Sequence, residues 1–306
     1  MNKKRIKLKI VLWGMGKEYN SKVNILKYYE AKGDIQIVAL TSNELLPFKY
    51  LDNWEIINKE ELNEIYFDLL IVMSEINYRS ILKDIVSLGI SKEKIVPCRV
   101  LDIPYFNFID YFELRQNKIS ILSNNCWGGL VYHTLGMECL SPFKNLALEC
   151  KDYIHMLNNL TYYMEIVPEF VRYQVDPHSK ESFPVMRVDD VNILFNHDKT
   201  PEEAVKKWER RKKKINYDNL FVEMYTEDIE EMEEYMKLYK YEKKVCFVPH
   251  KNGISYEKAG VYDLEMAYQQ REFYETVNGN ATNGKNAFTY NIINLLNMEK
   301  IYRYKY

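Results

Sequence analysis

The sequence predicts an α/β protein in two domains, a Rossmann-like parallel sheet over residues 1–103 and a second, larger α/β domain over 104–306. Three observations predict it. Short apolar runs bounded by glycine or polar turns alternate with segments of helical spacing, the pattern of parallel strands joined by right-handed crossovers. The 306 residues leave room for about two ordinary domains. Apolar residues make up 47% and charged residues 28%, enough for real cores within a water-soluble surface.

In the first domain, Lys9–Trp13 is an apolar run that reads as a buried strand and leads into Gly14-Met15-Gly16. Val23, Leu26 and Tyr29 recur at helical spacing, and Gly33 ends that helix. Asp34–Leu40 is the second strand, Trp54–Ile57 a short extra strand, and Asp68–Met73 the third main strand. Tyr78–Leu88 is a helix closed by Gly89, and Lys94–Val96 a fourth strand closed by Pro97. Phe106–Asn117 reads as a connecting helix, and the chain is expected to split within 104–118.

In the second domain, Ile119–Leu122 opens a new sheet. Asp152–Met164 is one amphipathic helix with Tyr153, Met156, Leu157, Leu160 and Met164 on a stripe. Phe183–Val188 and Val191–Phe195 form a hairpin or two adjacent strands, with Asp189-Asp190 as the turn. Thr200-Pro201-Glu202-Glu203 starts a helix: a hydroxyl cap, proline at the first position, glutamate at the third. Leu220–Tyr225 is a strand, Asp228–Leu238 a helix, Lys244–Val248 a strand and Asn283–Met298 a last helix.

Composition excludes several function classes. A net charge of −2 gives no overall field for nucleic acid or an anionic membrane. No apolar run approaches the roughly 20 residues of a membrane span. The basic start gives way at Gly14, too early for a signal-peptide core. Five cysteines without CxxC pairing read as reduced thiols in a cytoplasmic protein, with no zinc site.

The Gly14-x-Gly16 turn sits where a dinucleotide motif would, between first strand and first helix. Tyr19 occupies the place of the third glycine, and Thr41-Ser42-Asn43 stands where an acidic residue is needed. A tight turn fitting strand to helix is the main reading. Gly14 and Gly16 remain candidates for holding a nucleotide or sugar phosphate at a helix start.

The most unusual stretch is Ser-Asn-Asn-Cys-Trp-Gly-Gly, residues 123–129. It reads as a loop. Asn124, Asn125 and Cys126 put polar and nucleophilic groups just beyond a strand's carboxyl end, where open α/β sheets bind ligands. Gly128 and Gly129 let backbone approach something closely or take positive φ. His197 follows the strand Val191–Phe195 and His250 the strand Lys244–Val248. If those strands are parallel, both imidazoles share a rim with Cys126 and one could activate it as a nucleophile. A small buried thiol and loop histidines are the plainer alternative. The run Arg210–Lys214 ends a helix and complements its dipole, while Trp208, Arg210 and Arg211 together could contact phosphate.

Two resemblances add to this reading. The run Val11–Pro97, with its Gly-x-Gly turn, Tyr-Phe-Asp-Leu-Leu-Ile-Val-Met-Ser (66–74) and Leu-Gly-Ile-Ser-Lys-Glu-Lys-Ile-Val (88–96), resembles the N-terminal Rossmann-like modules of bacterial sugar-modifying enzymes. Ser-Asn-Asn-Cys-Trp-Gly-Gly-Leu-Val-Tyr (123–132), Leu-Gly (135–136), Ser-Pro-Phe-Lys-Asn-Leu (141–146), Lys-Asp-Tyr (151–153), Pro-Val (184–185), His-Asp-Lys-Thr (197–200) and Lys-Trp-Glu-Arg-Arg (207–211) resemble a bacterial family without an assigned reaction. Its members are commonly labelled exopolysaccharide-biosynthesis proteins. Over about 118–250, the resemblance implies Asn124, Asn125, Cys126, Trp127, Gly128, Gly129, Ser141, Pro142, His197, Trp208 and Arg211 as site residues.

The expected function is a cytoplasmic protein of cell-surface polysaccharide synthesis, a transferase acting on a nucleotide-sugar or phosphorylated saccharide. Asn124 and Asn125 would bond sugar hydroxyls, Trp127 would stack on a sugar ring, and the glycine backbone or Arg210 and Arg211 would hold phosphate. The alternatives are a non-catalytic glycan- or nucleotide-binding regulator, and a hydrolase or acyltransferase using Cys126 with His197.

Overall fold

The computed structural model describes residues 7–44, 47–177, 179–249, 260–264 and 290–299. The chain divides into two compact units. One runs to Gln116 and takes back His133–Glu138; the other holds Asn117–Tyr132 and resumes at Cys139.

The first unit comprises β1 (Leu8–Trp13), α1 (Lys17–Lys32), β2 (Ile35–Thr41), the antiparallel pair β3 (Tyr50–Leu51) and β4 (Trp54–Glu55), β5 (Leu69–Val72), α2 (Tyr78–Ser87), β6 (Ile95–Pro97) and α3 (Phe108–Gln116). The sheet order is β2-β1-β5-β6 and every pairing is parallel. Strands β5 and β6 are buried along their whole length, which is why they read as unbroken apolar runs instead of alternating ones. Ile81 and Ile85 of α2 pack with Val11, Trp13, Leu70 and Val72 in the core. Gly14 continues the ladder by donating to Thr41 O at 2.8 Å, and does so at φ +106°. An L side chain rarely adopts that angle, so the glycine is explained by backbone geometry. Gly16 caps α1, and Tyr19 is buried with its hydroxyl donating to Asp52 Oδ2 at 2.6 Å.

The second unit comprises β7 (Ser120–Ser123), α4 (Trp127–Leu135, the last three residues of which belong to the first unit), α5 (Cys150–Asn158), α6 (Leu160–Glu165), β8 (Glu169–Val175), β9 (Ser182–Val188), β10 (Val191–Leu194), α7 (Pro201–Lys212), β11 (Leu220–Tyr225), α8 (Ile229–Met236), β12 (Lys243–Pro249), β13 (Val261–Leu264) and α9 (Ile292–Leu296). A parallel sheet runs β13-β12-β11-β7, and an antiparallel meander runs β10-β9-β8. One core joins the two sheets: Val222, Met224 and Cys246 from the parallel sheet meet Met186, Val188 and Ile193 of the meander, with Tyr153, Trp208 and Tyr235 between. No helix of the described residues is long and apolar enough to cross a membrane.

The structure corrects several sequence expectations. The helix expected over Asp152–Met164 is two helices, broken at Asn159, whose φ of −131° and ψ of 44° leave the helical region. Its apolar stripe stays buried through the break. Strand β8 goes unrecognised in the sequence because it has no buried face to give it alternation. Strand β10 belongs to the antiparallel meander and not to the parallel sheet, so the rim argument for His197 does not hold. Asp189-Asp190 is the hairpin turn, with Asp189 at φ +56°. His250 and the front half of the expected Asn283–Met298 helix lie outside the described residues.

Candidate functional site

Strand β7 ends at Ser123, and the three residues after it form the turn that starts α4. Each is held by a specific bond. The Asn124 amide behaves like one more peptide of β7: its Oδ1 accepts from Tyr225 N at 3.1 Å and its Nδ2 donates to Tyr225 O at 3.1 Å. Asn125 Oδ1 accepts from Trp127 N at 2.8 Å, capping the helix, and Asn125 Nδ2 donates to Asn124 Oδ1 at 2.9 Å and to Glu223 Oε1 at 3.3 Å. Ser123 Oγ accepts from Gly128 N at 3.0 Å. Cys126 O accepts from Leu130 N at 3.2 Å, which places the thiol residue at the helix N-cap.

The residues expected to bind saccharide are used differently. Asn124 and Asn125 are buried and their amides are spent on the turn. Trp127 is fully buried: its ring stacks on Phe221 at 6.0 Å, and Nε1 donates to Tyr290 Oη at 2.9 Å. Its indole has no face left for a sugar. Trp208 is likewise core, packed between Phe143 and Phe195. The 123–129 stretch is therefore not a loop but a strand end, a turn and a helix start. Gly128 serves close packing: a Cβ there would overlap Ser123 Oγ and press Ile121 Cγ2 at 3.0 Å. Gly129 sits as closely against Asn145 Oδ1. Ser141 is buried, with Oγ accepting from Phe143 N at 3.2 Å. Arg211 Nη1 donates to Lys144 O at 2.8 Å, while Arg210 stays on the surface. Gly128→Ala should lower stability by about 1–3 kcal/mol. Thermal denaturation checks this, and adding Ser123→Ala, which removes the obstructing Oγ, should recover part of the loss.

What the structure does bring together is Cys126 and His197, with Sγ 3.5 Å from Nε2. The approach is built by the hairpin and the segment after α4. Leu194, the last residue of β10, exchanges both backbone bonds with Ala147 at 2.9 and 3.0 Å. The next residue, Leu148, donates to Asn124 O at 2.9 Å. The 194–198 segment is thus tied to the Cys126 turn through one strip of backbone. Buried Asp198 then pins its far side by an ion pair to Lys207 of α7, whose own start is capped by Thr200 Oγ1 accepting from Glu203 N at 3.2 Å.

The thiol's electrostatics are mixed. Burial pushes Cys126 up to about 11, and a hydrogen bond from the Asn196 side chain works against that. Asn196 Oδ1 is buried without a hydrogen-bond partner, leaving the N–H end of the amide for the sulfur. The helix start adds partial positive charge that favours the thiolate. Below the turn, Glu223 of β11 is fully buried; desolvation raises its carboxyl to about 8, slightly opposed by the Asn125 bond. Sequence reasoning missed Asn196 and Glu223. The available signal for Glu223 was a charge in the middle of an apolar strand, Phe-Val-Glu-Met-Tyr.

Two cavities lie elsewhere. One of about 390 Å³ in the first unit is lined by Ser42, Phe48, Lys49 and Asn58. One of about 460 Å³ in the second is lined by Asn158, Asn159, Tyr217, Lys240 and Tyr241, beside the starts of β11 and β12. Neither is lined by Cys126 or His197. Among the described residues, no group of three His, Cys, Asp or Glu side chains is placed to hold a metal ion.

Residues 98–297 match the family model described as "Domain of unknown function (DUF1919)", and residues 6–96 match "C2185-like, N-terminal". An "Uncharacterized protein" of Haemophilus influenzae is 32% identical over 116 residues, covering 38% of this chain and 53% of that protein. The chain thus spans about half the length of the curated relative it matches.

Proposed function

We propose that this chain, which belongs to the family described as Domain of unknown function (DUF1919), is a thiol-dependent acyl-transfer enzyme with Cys126 as nucleophile and His197 as base. One observation carries the reading: Sγ and Nε2 stand 3.5 Å apart although 71 residues separate them in the chain. That spacing is the loose apo geometry of a nucleophile and its base. The site also stands at the carboxyl end of a parallel strand and at a helix start.

A thiol near 11 is protonated at neutral pH, so the pair does not rest as thiolate and imidazolium. His197 acts within the step. Nε2 takes the thiol proton as Sγ bonds to the acyl carbon and the carbonyl electron pair moves to oxygen. This requires the neutral ring to carry its hydrogen on Nδ1. Collapse breaks the bond to the leaving group, which departs with the proton from Nε2. A thioester remains on Cys126. A hydroxyl of water or of a saccharide then gives its proton to Nε2 and bonds to the acyl carbon, and the sulfur leaves and regains the proton. Asn196 donates to the sulfur as its negative charge develops. A saccharide as acyl acceptor, and a place in cell-surface polysaccharide synthesis, rest on the sequence resemblance alone. Glycosyl transfer loses support because Trp127, Asn124 and Asn125 are buried.

p-Nitrophenyl acetate tests the reading. Wild-type protein should release a burst of p-nitrophenolate and carry one acetyl group on the Cys126 peptide. Cys126→Ala should abolish both, and His197→Ala should slow the burst by about 10²–10⁴-fold. Iodoacetamide should modify Cys126 faster than the buried Cys98. No acetylated Cys126, together with labelling no faster than at Cys98, would sink the proposal.

A further inference from the structure

Glu223 takes no part in the steps above, yet it lies directly beneath them. On β11, Val222 and Met224 face the main core, so Phe221 and Glu223 face the opposite side of the sheet, where Trp127 stacks on Phe221. In the sheet register, Glu223 stands opposite Ser123 on one side and Val245 on the other. Its side chain is wholly buried. Oε1 accepts from Asn125 Nδ2 at 3.3 Å, and Oε2 has no hydrogen-bond partner. Among the described residues, no lysine, arginine or histidine forms an ion pair with it. An ionised carboxylate in that position would be both desolvated and uncompensated, so the group is stable there only as the neutral acid.

The buried carboxyl has a specific task. Asn125 is bonded at both ends, with Oδ1 on Trp127 N and Nδ2 on Asn124 Oδ1 and Glu223 Oε1. Turning that amide over would set its oxygen against the two acceptors and its NH₂ against the helix N–H. Cys126 lies between Asn125 and Trp127, so the amide's orientation fixes where the thiol points. We infer that Glu223 is a positioning residue: a buried carboxyl whose Oε1 locks the Asn125 amide and thereby holds the Cys126 thiol at His197. The inference rests on the Cys126–His197 reading. Among the described residues, the other titratable groups placed to feel Glu223 are Tyr153, Tyr235 and Cys246, all reached from the far face of the sheet. Burial holds all three protonated well above their ordinary ranges, so they keep the same charge while Glu223 ionises.

The test is the coupling between residue 223 and His197, read on the full chain. The rate of carbamidomethylation of Cys126 by iodoacetamide is measured with and without His197→Ala, in wild type, Glu223→Leu and Glu223→Gln. At about pH 7, His197→Ala should slow wild-type labelling about tenfold or more. In Glu223→Leu the same substitution should matter less than about threefold, because the thiol no longer sits at the imidazole. Glu223→Gln keeps an uncharged acceptor and should retain the wild-type coupling. If His197→Ala has no effect in wild type, the parent reading fails. If wild type shows the effect and a folded Glu223→Leu shows it equally, the positioning role is overturned while the nucleophile stands. If Glu223→Leu does not fold, Glu223→Ala is read in its place: a folded Glu223→Ala that shows the wild-type effect of His197→Ala overturns the inference.

Discussion

Trp127→Ala should cost about 3–5 kcal/mol of stability, among the largest effects of any single truncation in this protein. The indole is entirely buried, sits 6.0 Å from the Phe221 ring at an interplanar angle of 26°, and lies 5.8 Å from the Phe247 ring. Truncation removes that burial and leaves a cavity between α4 and the parallel sheet, since both are held by backbone pairing that cannot collapse onto it. It also deletes a buried donor to Tyr290 Oη. Trp127→Phe keeps much of the volume and should cost less than half as much. Urea denaturation followed by circular dichroism measures both. A midpoint unchanged by Trp127→Ala would mean that the indole is not a packing element. Read from sequence alone, the same indole is expected to stack on a sugar ring instead.

The second large effect is a pH dependence carried by Glu223. Its ordinary value is 4.5, and in the folded chain desolvation raises it to about 8. Between those values the folded state holds a proton that the unfolded state has released. Stability contributed by the neutral acid is therefore complete below about pH 4.5, falls as pH rises, and is lost once pH passes about 8. At about 1.4 kcal/mol per unit, the total is on the order of 5 kcal/mol. Glu223→Gln has no such group and should show a flatter curve over the same interval. The wild type should thus lose ground to the variant steadily from about pH 5 to pH 8, and the gap should stay constant above that. Denaturant titrations at several pH values read the difference directly. Parallel curves across the interval would show that the carboxylate is compensated by something that keeps it ionised in the fold.

Much of the architecture is written in short stretches of chain. Leu220–Tyr225 was predicted residue for residue, and the strands at Lys9–Trp13, Asp34–Leu40 and Lys244–Val248 were each placed within one residue at either end. Their apolar runs are too short for helices and are bounded by turn residues, so the local period suffices. The start of α7 is equally legible, because Thr200 caps it by accepting from Glu203 N and Pro201 stands at the first helical position. The α/β class follows from the alternation of such segments, since parallel strands need a crossover and the helices supply it.

The candidate site was legible in its residues but not in its geometry. Ser-Asn-Asn-Cys-Trp-Gly-Gly stood out by composition, and Cys126 and His197 were named as a pair. Their meeting was expected from two parallel strands, whereas the structure achieves it through an antiparallel hairpin bound to Ala147 and Leu148. Nothing within a few residues of His197 encodes that. Trp127 could equally face solvent or core when read locally. Its direction is decided by Phe221, Phe247 and Tyr290, which lie about 90 residues or more along the chain. Glu223 shows the same division: its place on a strand follows from its apolar neighbours, while its neutrality follows from a desolvation that exists only once β7, β12 and α4 close around it. The sequence by itself therefore determined most of the elements and their class, and singled out one thiol and two histidines, because backbone preferences and short apolar periods act over a few residues. Which side chains were buried, which charge was suppressed and which histidine came near the sulfur were decided only in the tertiary structure, because burial, dielectric and a 3.5 Å approach belong to groups that are distant along the chain.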